Sequence, residues 1–213
     1  MYRLYGWKRW GSLAPQLVMD MLGLEYENRW PDARERHSAE YQRLNPLGLV
    51  PTLVLKDGRA IFESSAIVTY LTDAHDQEER LAPRPGTPEH ALYLSWLTFM
   101  NAEIYATINA AEFVEDQGGQ YVKLPEEREA LTGAICKKAL RLFDIVEHRL
   151  RETGAYLLGR ALGAADIYLM MLTLWAKPST ASLLAQAPQI ARVVASVKGE
   201  AALQQTLLQH ELV

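Results

Sequence analysis

A single change of hydrophobic period, placed at a charged and proline-rich seam, divides this chain into two unlike halves. From His75 to Glu89 the sequence runs HDQEERLAPRPGTPE, whose turn-forming residues and low hydrophobicity mark a linker. Beyond it, apolar residues recur at spacings of three and four: Leu92, Trp96, Phe99 and Met100, then Leu140, Phe143, Val146 and Leu150, then Ile167, Met170, Met171 and Leu174. Such spacings build helix faces. No alternating strand pattern, internal repeat or low-complexity stretch interrupts them. The expected organisation is a first domain over 1–75, a linker over 76–89 and an all-helical bundle over 90–213.

The first half reads differently. Tyr2 to Tyr5 and Glu25 to Trp30 have the character of short strands. Between them Ser12 precedes an apolar-periodic run (Leu13, Leu17, Val18, Met21, Leu22) that ends at Gly23. Ser12 suits an N-cap, Pro15 falls in the first turn, and Gly23 supplies a left-handed terminator. Pro31 to Gln42 is loop with a short helix, and NPLGLVP excludes regular structure. VPTLVL, KDG and RAIFE then predict a hairpin closed at Asp57–Gly58, and a helix begins at Ser64 or Ser65. The order strand, helix, strand, irregular segment, hairpin, helix is that of a small α/β domain with a mixed sheet.

Bulk properties narrow the function. Apolar residues make up 49% and charged residues 23% of 213, in keeping with a folded chain. A net charge of -4 provides no field for a phosphate backbone, which argues against nucleic acid. No run of ~18 apolar residues and no export signal is present, so neither a membrane partner nor a secreted location is expected. One cysteine, Cys136, excludes an intrachain disulfide and fits a reducing, cytoplasmic setting. The five histidines show no HxxxH or HExxH spacing, so no metal is expected.

Three segments, NPLGLVPTLVL, DGRAIFESSAIVTYL and GRALGAADIYL, resemble the signature segments of the glutathione S-transferase family, and the likeness spans nearly the whole chain. Ser12 to Pro15 (SLAP) and Trp96 to Tyr105 (WLTFMNAEIY) are similar in particular to the bacterial beta class. The resemblance implies a thioredoxin-like domain followed by a helical domain, a homodimer, glutathione as co-substrate, and a small hydrophobic electrophile. It also assigns residues. Val50–Pro51 matches the position of a cis proline, after which the backbone of Val50 pairs with the cysteinyl unit of glutathione like an added strand. Glu63 and Ser64 match the pair that holds the γ-glutamyl end: a carboxylate for the ammonium, a hydroxyl and helix-start amides for the carboxylate. Without any ligand, the same residues would serve as a helix start. Asp166 matches the acid of a helix-start motif whose usual serine or threonine is here Gly163, leaving it a structural role with no reciprocal hydroxyl bond.

The chain departs from the beta class at one decisive place: the cysteine expected just before SLAP is Gly11. Chemistry that needs an enzyme thiol in a mixed disulfide is thereby disfavoured. Ser12 is then the candidate for donating to the glutathione sulfur, against the alternative of a plain helix cap. Tyr5 at the strand end, or backbone amides alone, are the other candidates for that donor role; Tyr5, Trp10, Glu103 and Tyr105 are candidates for the substrate pocket, with core packing the alternative for both tyrosines. The activity implied is conjugation of glutathione thiolate to an electrophile. A glutathione-dependent isomerase or dehalogenase, and a non-catalytic binding protein on the same fold, are the rival readings; Gly11, Gly163 and Leu49, where relatives place a polar residue, keep the last one open.

Overall fold

The computed structural model describes residues 1–159 and 161–213. Four short strands, β1 (Tyr2–Tyr5), β2 (Tyr26–Arg29), β3 (Thr52–Val54) and β4 (Ala60–Phe62), form one sheet in the order β2-β1-β3-β4. β1 and β2 run parallel, with Tyr2 opposite Tyr26, and this pairing needs the crossover helix α1 (Leu13–Met21). β3 is antiparallel to both β1 and β4. The β3–β4 hairpin closes at Asp57–Gly58, with Gly58 at φ +90°. Two short helices, α2 (Ala33–Arg36) and α3 (Ala39–Leu44), precede the hairpin, and α4 (Ser64–His75) follows it. This is a thioredoxin-like domain.

A helical domain follows. α5 (Pro88–Phe99) runs through a π-helical turn, Met100–Tyr105, into α6 (Ala106–Gln117) without a break. Then come α7 (Pro125–Thr153), α8 (Ala164–Thr173), α9 (Thr180–Gln186), α10 (Pro188–Gly199) and α11 (Gln204–Gln209). None of these helices is long and apolar enough to cross a membrane. The α5 stripe differs from the expected one: Tyr93, Leu97 and Met100 face the core, whereas Leu92 is 42% exposed and Trp96 and Phe99 are half-buried. α5 is apolar on several sides, so spacing alone does not select the buried one.

One hydrophobic core joins the two domains. Leu13, Ala14 and Leu17 of α1 and Ile67, Val68 and Leu71 of α4 are buried in the same cluster as Ile167, Met170 and Met171 of α8. The junction is polar as well: the Ala14 amide at the start of α1 donates to Met171 Sδ at 3.4 Å. Between α4 and α5, the Asp76 carboxylate gathers the amides of Arg80, Leu81 and Ala82. The Leu81 carbonyl then accepts from Ala164 N at 2.8 Å, tying this segment to the start of α8.

That contact explains Gly163. A Cβ there would lie 2.8 Å from the Leu81 carbonyl oxygen, so a serine or threonine would push the segment away. Asp166 accepts from the amides of Gly163 (2.9 Å) and Leu157 (3.0 Å), and burial pushes its carboxyl up to about 6. The helix start therefore has no hydroxyl cap, and its Ala164 amide bonds the Leu81 carbonyl.

Candidate functional site

A cavity of about 280 Å³ opens between the two domains. Its walls are the Asn45–Pro51 segment, Glu63 and Ser64 at the start of α4, and Asn101, Tyr105 and Asn109 of the α5–α6 helix. A larger hollow of about 480 Å³, lined by Arg80, Pro83 and Leu158, lies on the linker, away from these groups.

The first wall is held rigidly. Gly48 has φ +65°, and a Cβ on it would stand 2.9 Å from the Arg36 carbonyl oxygen, so this turn requires glycine. The Leu49 carbonyl accepts from Tyr41 Oη (2.7 Å) and Asn45 Nδ2 (2.9 Å), and both of those side chains also bond Thr52 Oγ1. The Val50–Pro51 peptide is cis. Among the described residues neither backbone group of Val50 is used within the chain, so both are open to an extended peptide-like molecule.

The second wall is the head of α4. Glu63 has φ +71°, a left-handed conformation that costs a non-glycine residue of order 1–3 kcal/mol and is maintained only where the surroundings impose it. No side chain caps this helix, so the first-turn amides after Glu63 have no protein acceptor among the described residues, and Glu63 and Ser64 line the cavity. Ser64 is only 2% exposed. Its hydroxyl lies 2.8 Å from Tyr168 Oη, and Tyr168 itself donates to Asn101 Oδ1 at 2.8 Å. With the tyrosine proton committed to Asn101, the serine proton points to Tyr168. The Ser64 amide, rather than its hydroxyl, is therefore the donor left for a carboxylate.

Behind Pro51 and Tyr105 lies the head of α1, which among the described residues contributes nothing to the cavity's lining. Ser12 does not make the expected cap: it has helical φ and ψ, no side-chain bond to the helix amides, and is 2% exposed. Its Oγ accepts from Trp7 N (3.0 Å) and donates to Trp7 O (3.2 Å), closing the loop that leads into the helix. The same loop is strapped by the C-terminal tail. Arg9, at φ +59°, donates its amide to His210 Nδ1 (2.9 Å) and its Nε to the His210 carbonyl (2.8 Å), and Lys8 pairs with Glu211. His210 Nε2 then donates to Gln16 Oε1 at 3.0 Å, so the ring is neutral. Burial first, then Lys8 and Arg9, pull its pKa down to about 4.

Gly11 is packed against the helical domain. A Cβ there would lie 2.6 Å from Tyr105 Oη and 3.4 Å from Pro51 Cδ. Tyr105 thus fills the place where a side chain at position 11 would project. Its ring is stacked on Trp175, with centroids 5.1 Å apart and planes 11° apart. Burial, reinforced by Glu112 and Glu63, pushes its hydroxyl up to about 12, so it stays protonated near neutral pH.

The remaining candidates lie elsewhere. Tyr5 is buried edge-on against Tyr41. Trp10 is 40% exposed beneath Arg36 and beside Trp7, and Glu103 pairs with Lys138 at 3.5 Å; neither lines the cavity. Sequence reasoning missed Asn101, Tyr168 and His210, each of which acts through a partner at least 67 positions away. Among the described residues no three His, Cys, Asp or Glu side chains gather as a metal site.

Comparison with known proteins agrees with this architecture. The family model for the glutathione S-transferase N-terminal domain matches residues 12–74, and that for the C-terminal domain matches 91–199. A relative from Escherichia coli strain K12, the uncharacterized GST-like protein YncG, is 25% identical over 216 residues, covering 100% of both chains. The glutathione transferase structure from Methylococcus capsulatus superposes with a TM-score of 0.79 at 29% identity over 100% of each chain. A glutathione transferase homolog from Sulfitobacter, crystallised with bound glutathione, superposes at 0.78 with 23% identity over 98% of each chain, which shows a shared fold. With both halves matched in order around one interdomain cavity, the chain belongs to the glutathione S-transferase family.

Proposed function

We propose that this protein binds glutathione in the interdomain cavity, holds its sulfur as thiolate and transfers it to a small hydrophobic electrophile. The observation that carries the reading is the convergence on one cavity of three complementary groups: the free backbone of Val50 beside Pro51, the Glu63 carboxylate, and the uncapped amides at the head of α4. The cysteinyl unit pairs with Val50, the ammonium meets Glu63, and the glutamyl carboxylate meets the Ser64 amide and its neighbours. The sulfur then points toward the head of α1. On binding, the thiol loses its proton to solvent; the thiolate attacks the electrophile, a sulfur–carbon bond forms, and the leaving group departs with its electron pair. The protein contributes orientation and a lowered thiol pKa, for which two units below about 8.5 take roughly 2.7 kcal/mol.

Calorimetric titration with glutathione tests the binding, and product analysis tests the reaction. Saturable binding with glutathione consumed one-for-one with product supports transfer. Turnover without glutathione consumption supports an isomerase, and binding without turnover supports a non-catalytic role. The family resemblance also supports a homodimer. Phe62 of β4 and Leu92 of α5, 39% and 42% exposed, leave apolar surface on both domains for a second copy to cover. Sedimentation at micromolar concentration would return a dimer mass, and a monomer would contradict this.

A further inference from the structure

The chain places glycine where its beta-class resemblance predicts a cysteine, and its only hydroxyl on that stretch of loop, Ser12, is turned inward to the Trp7 backbone. The head of α1 therefore has no side chain of its own to offer a sulfur atom. The helical domain supplies one. Tyr105 closes the π-helical turn Met100–Tyr105, a local rewinding that shifts the side chains after it around the helix and recurs at functional sites. Its hydroxyl stands 2.6 Å from where a Gly11 Cβ would be, beside Pro51, on the cavity wall. Trp175 fixes the ring, and among the described residues no hydrogen bond uses the hydroxyl. An oriented donor without a protein acceptor, at the entrance to a helix N-terminus, suits a nascent anion.

We propose that Tyr105, a residue of the helical domain, is the catalytic hydroxyl that hydrogen-bonds the glutathione sulfur, and that Gly11 is glycine because any side chain there would displace it. The assignment rests on the glutathione reading above. The hydroxyl donates without ionising: the thiol proton goes to solvent, Tyr105 keeps its own, and the O–H···S⁻ bond favours thiolate over thiol. Its burial, which keeps it protonated across the working pH range, agrees with a donor rather than a base.

The test is the pKa of enzyme-bound glutathione, followed by thiolate absorbance, in Tyr105→Phe, Gly11→Ala and Gly11→Ser/Tyr105→Phe. S-methylglutathione binding is measured in parallel, since that analogue has no thiol to ionise. Tyr105→Phe should raise the bound-thiol pKa by about one unit and lower kcat/KM about tenfold near neutral pH, with recovery as the pH rises. Gly11→Ala should do the same by displacing the hydroxyl and add nothing to Tyr105→Phe. Gly11→Ser/Tyr105→Phe, which returns a hydroxyl to the vacated place, should bring the pKa back toward the original. S-methylglutathione affinity should stay within about twofold throughout. An unmoved pKa with S-methylglutathione still bound overturns the Tyr105 assignment alone. Failure of the unaltered protein to bind the analogue overturns the glutathione reading and this assignment with it.

Discussion

The two ends of the cavity are built on opposite plans. The end at Glu63 is contiguous: strand β4, a strained residue and a helix start follow one another within a few positions, and carboxylate and amides arrive together. The end at Tyr105, backed by the Gly11 loop, is assembled from afar. Its loop is closed by Ser12, strapped by Arg9 to His210 at the other terminus, and faced by Tyr105 from the second domain. A site end made by one stretch of chain is controlled by that stretch. One made by three is controlled by how the domains pack, and a residue with catalytic chemistry there can serve structure.

The sharpest test of the contiguous end is Glu63→Gly. Removing the carboxylate should weaken glutathione binding by about 1.5–3 kcal/mol, or roughly ten- to a hundredfold. Glycine tolerates φ +71°, so the melting temperature should hold or rise. Calorimetry beside thermal melts measures both; a loss of stability with affinity intact would make Glu63 a structural residue and erase the contrast between the ends.

At the assembled end, Ser12→Ala should cost about 1–2 kcal/mol of stability, because the Trp7 amide loses its acceptor. The pH–rate profile should keep its inflection. A profile shifted to higher pH would return the thiol-activating role to Ser12 and place the function back on the local segment.

Ser64→Ala sharpens the comparison in the other direction. Because the Ser64 hydroxyl is engaged by Tyr168, the variant should lose about 1 kcal/mol of stability while glutathione affinity changes by less than about threefold. A large affinity loss would mean that the hydroxyl turns to the ligand when it binds.

A further contrast is a pH slope. The folded chain keeps His210 neutral down to about 4, whereas the unfolded chain protonates it near 6.5. Stability from this group is complete above pH 6.5 and falls as the pH drops from 6.5 toward 4, since the unfolded state takes up the proton that the folded state excludes. His210→Gln should flatten that part of the stability–pH curve, read by denaturant titrations at pH 7 and pH 5. An unchanged slope would free the Arg9 loop from its C-terminal strap.

These contrasts also explain what was legible in the sequence. The β3–β4 hairpin, the helix start at Ser64 and the linker chemistry are local, carried by Asp57–Gly58, by ESS and by a run of prolines, and each reads directly. The cis bond at Val50–Pro51, implied by family resemblance, is present. The buried stripe of α5 was not legible, because large apolar and aromatic side chains stand on several sides of this helix and only packing buries Tyr93 while leaving the more apolar Leu92 exposed. Ser12 carries every local mark of a cap, yet its hydroxyl goes back to Trp7; loop closure outcompeted capping. The meetings of Gly11 with Tyr105, Ser64 with Tyr168 and Arg9 with His210 span 94, 104 and 201 positions. No periodicity encodes such pairs.

Titrating the absorbance of the bound thiol in the unaltered protein decides whether this cavity binds glutathione and favours its thiolate. A saturable thiolate signal is expected, with a pKa at least one unit below the roughly 8.5 of a free thiol. A bound thiol that titrates like the free one, or a signal that never saturates with glutathione, would contradict it.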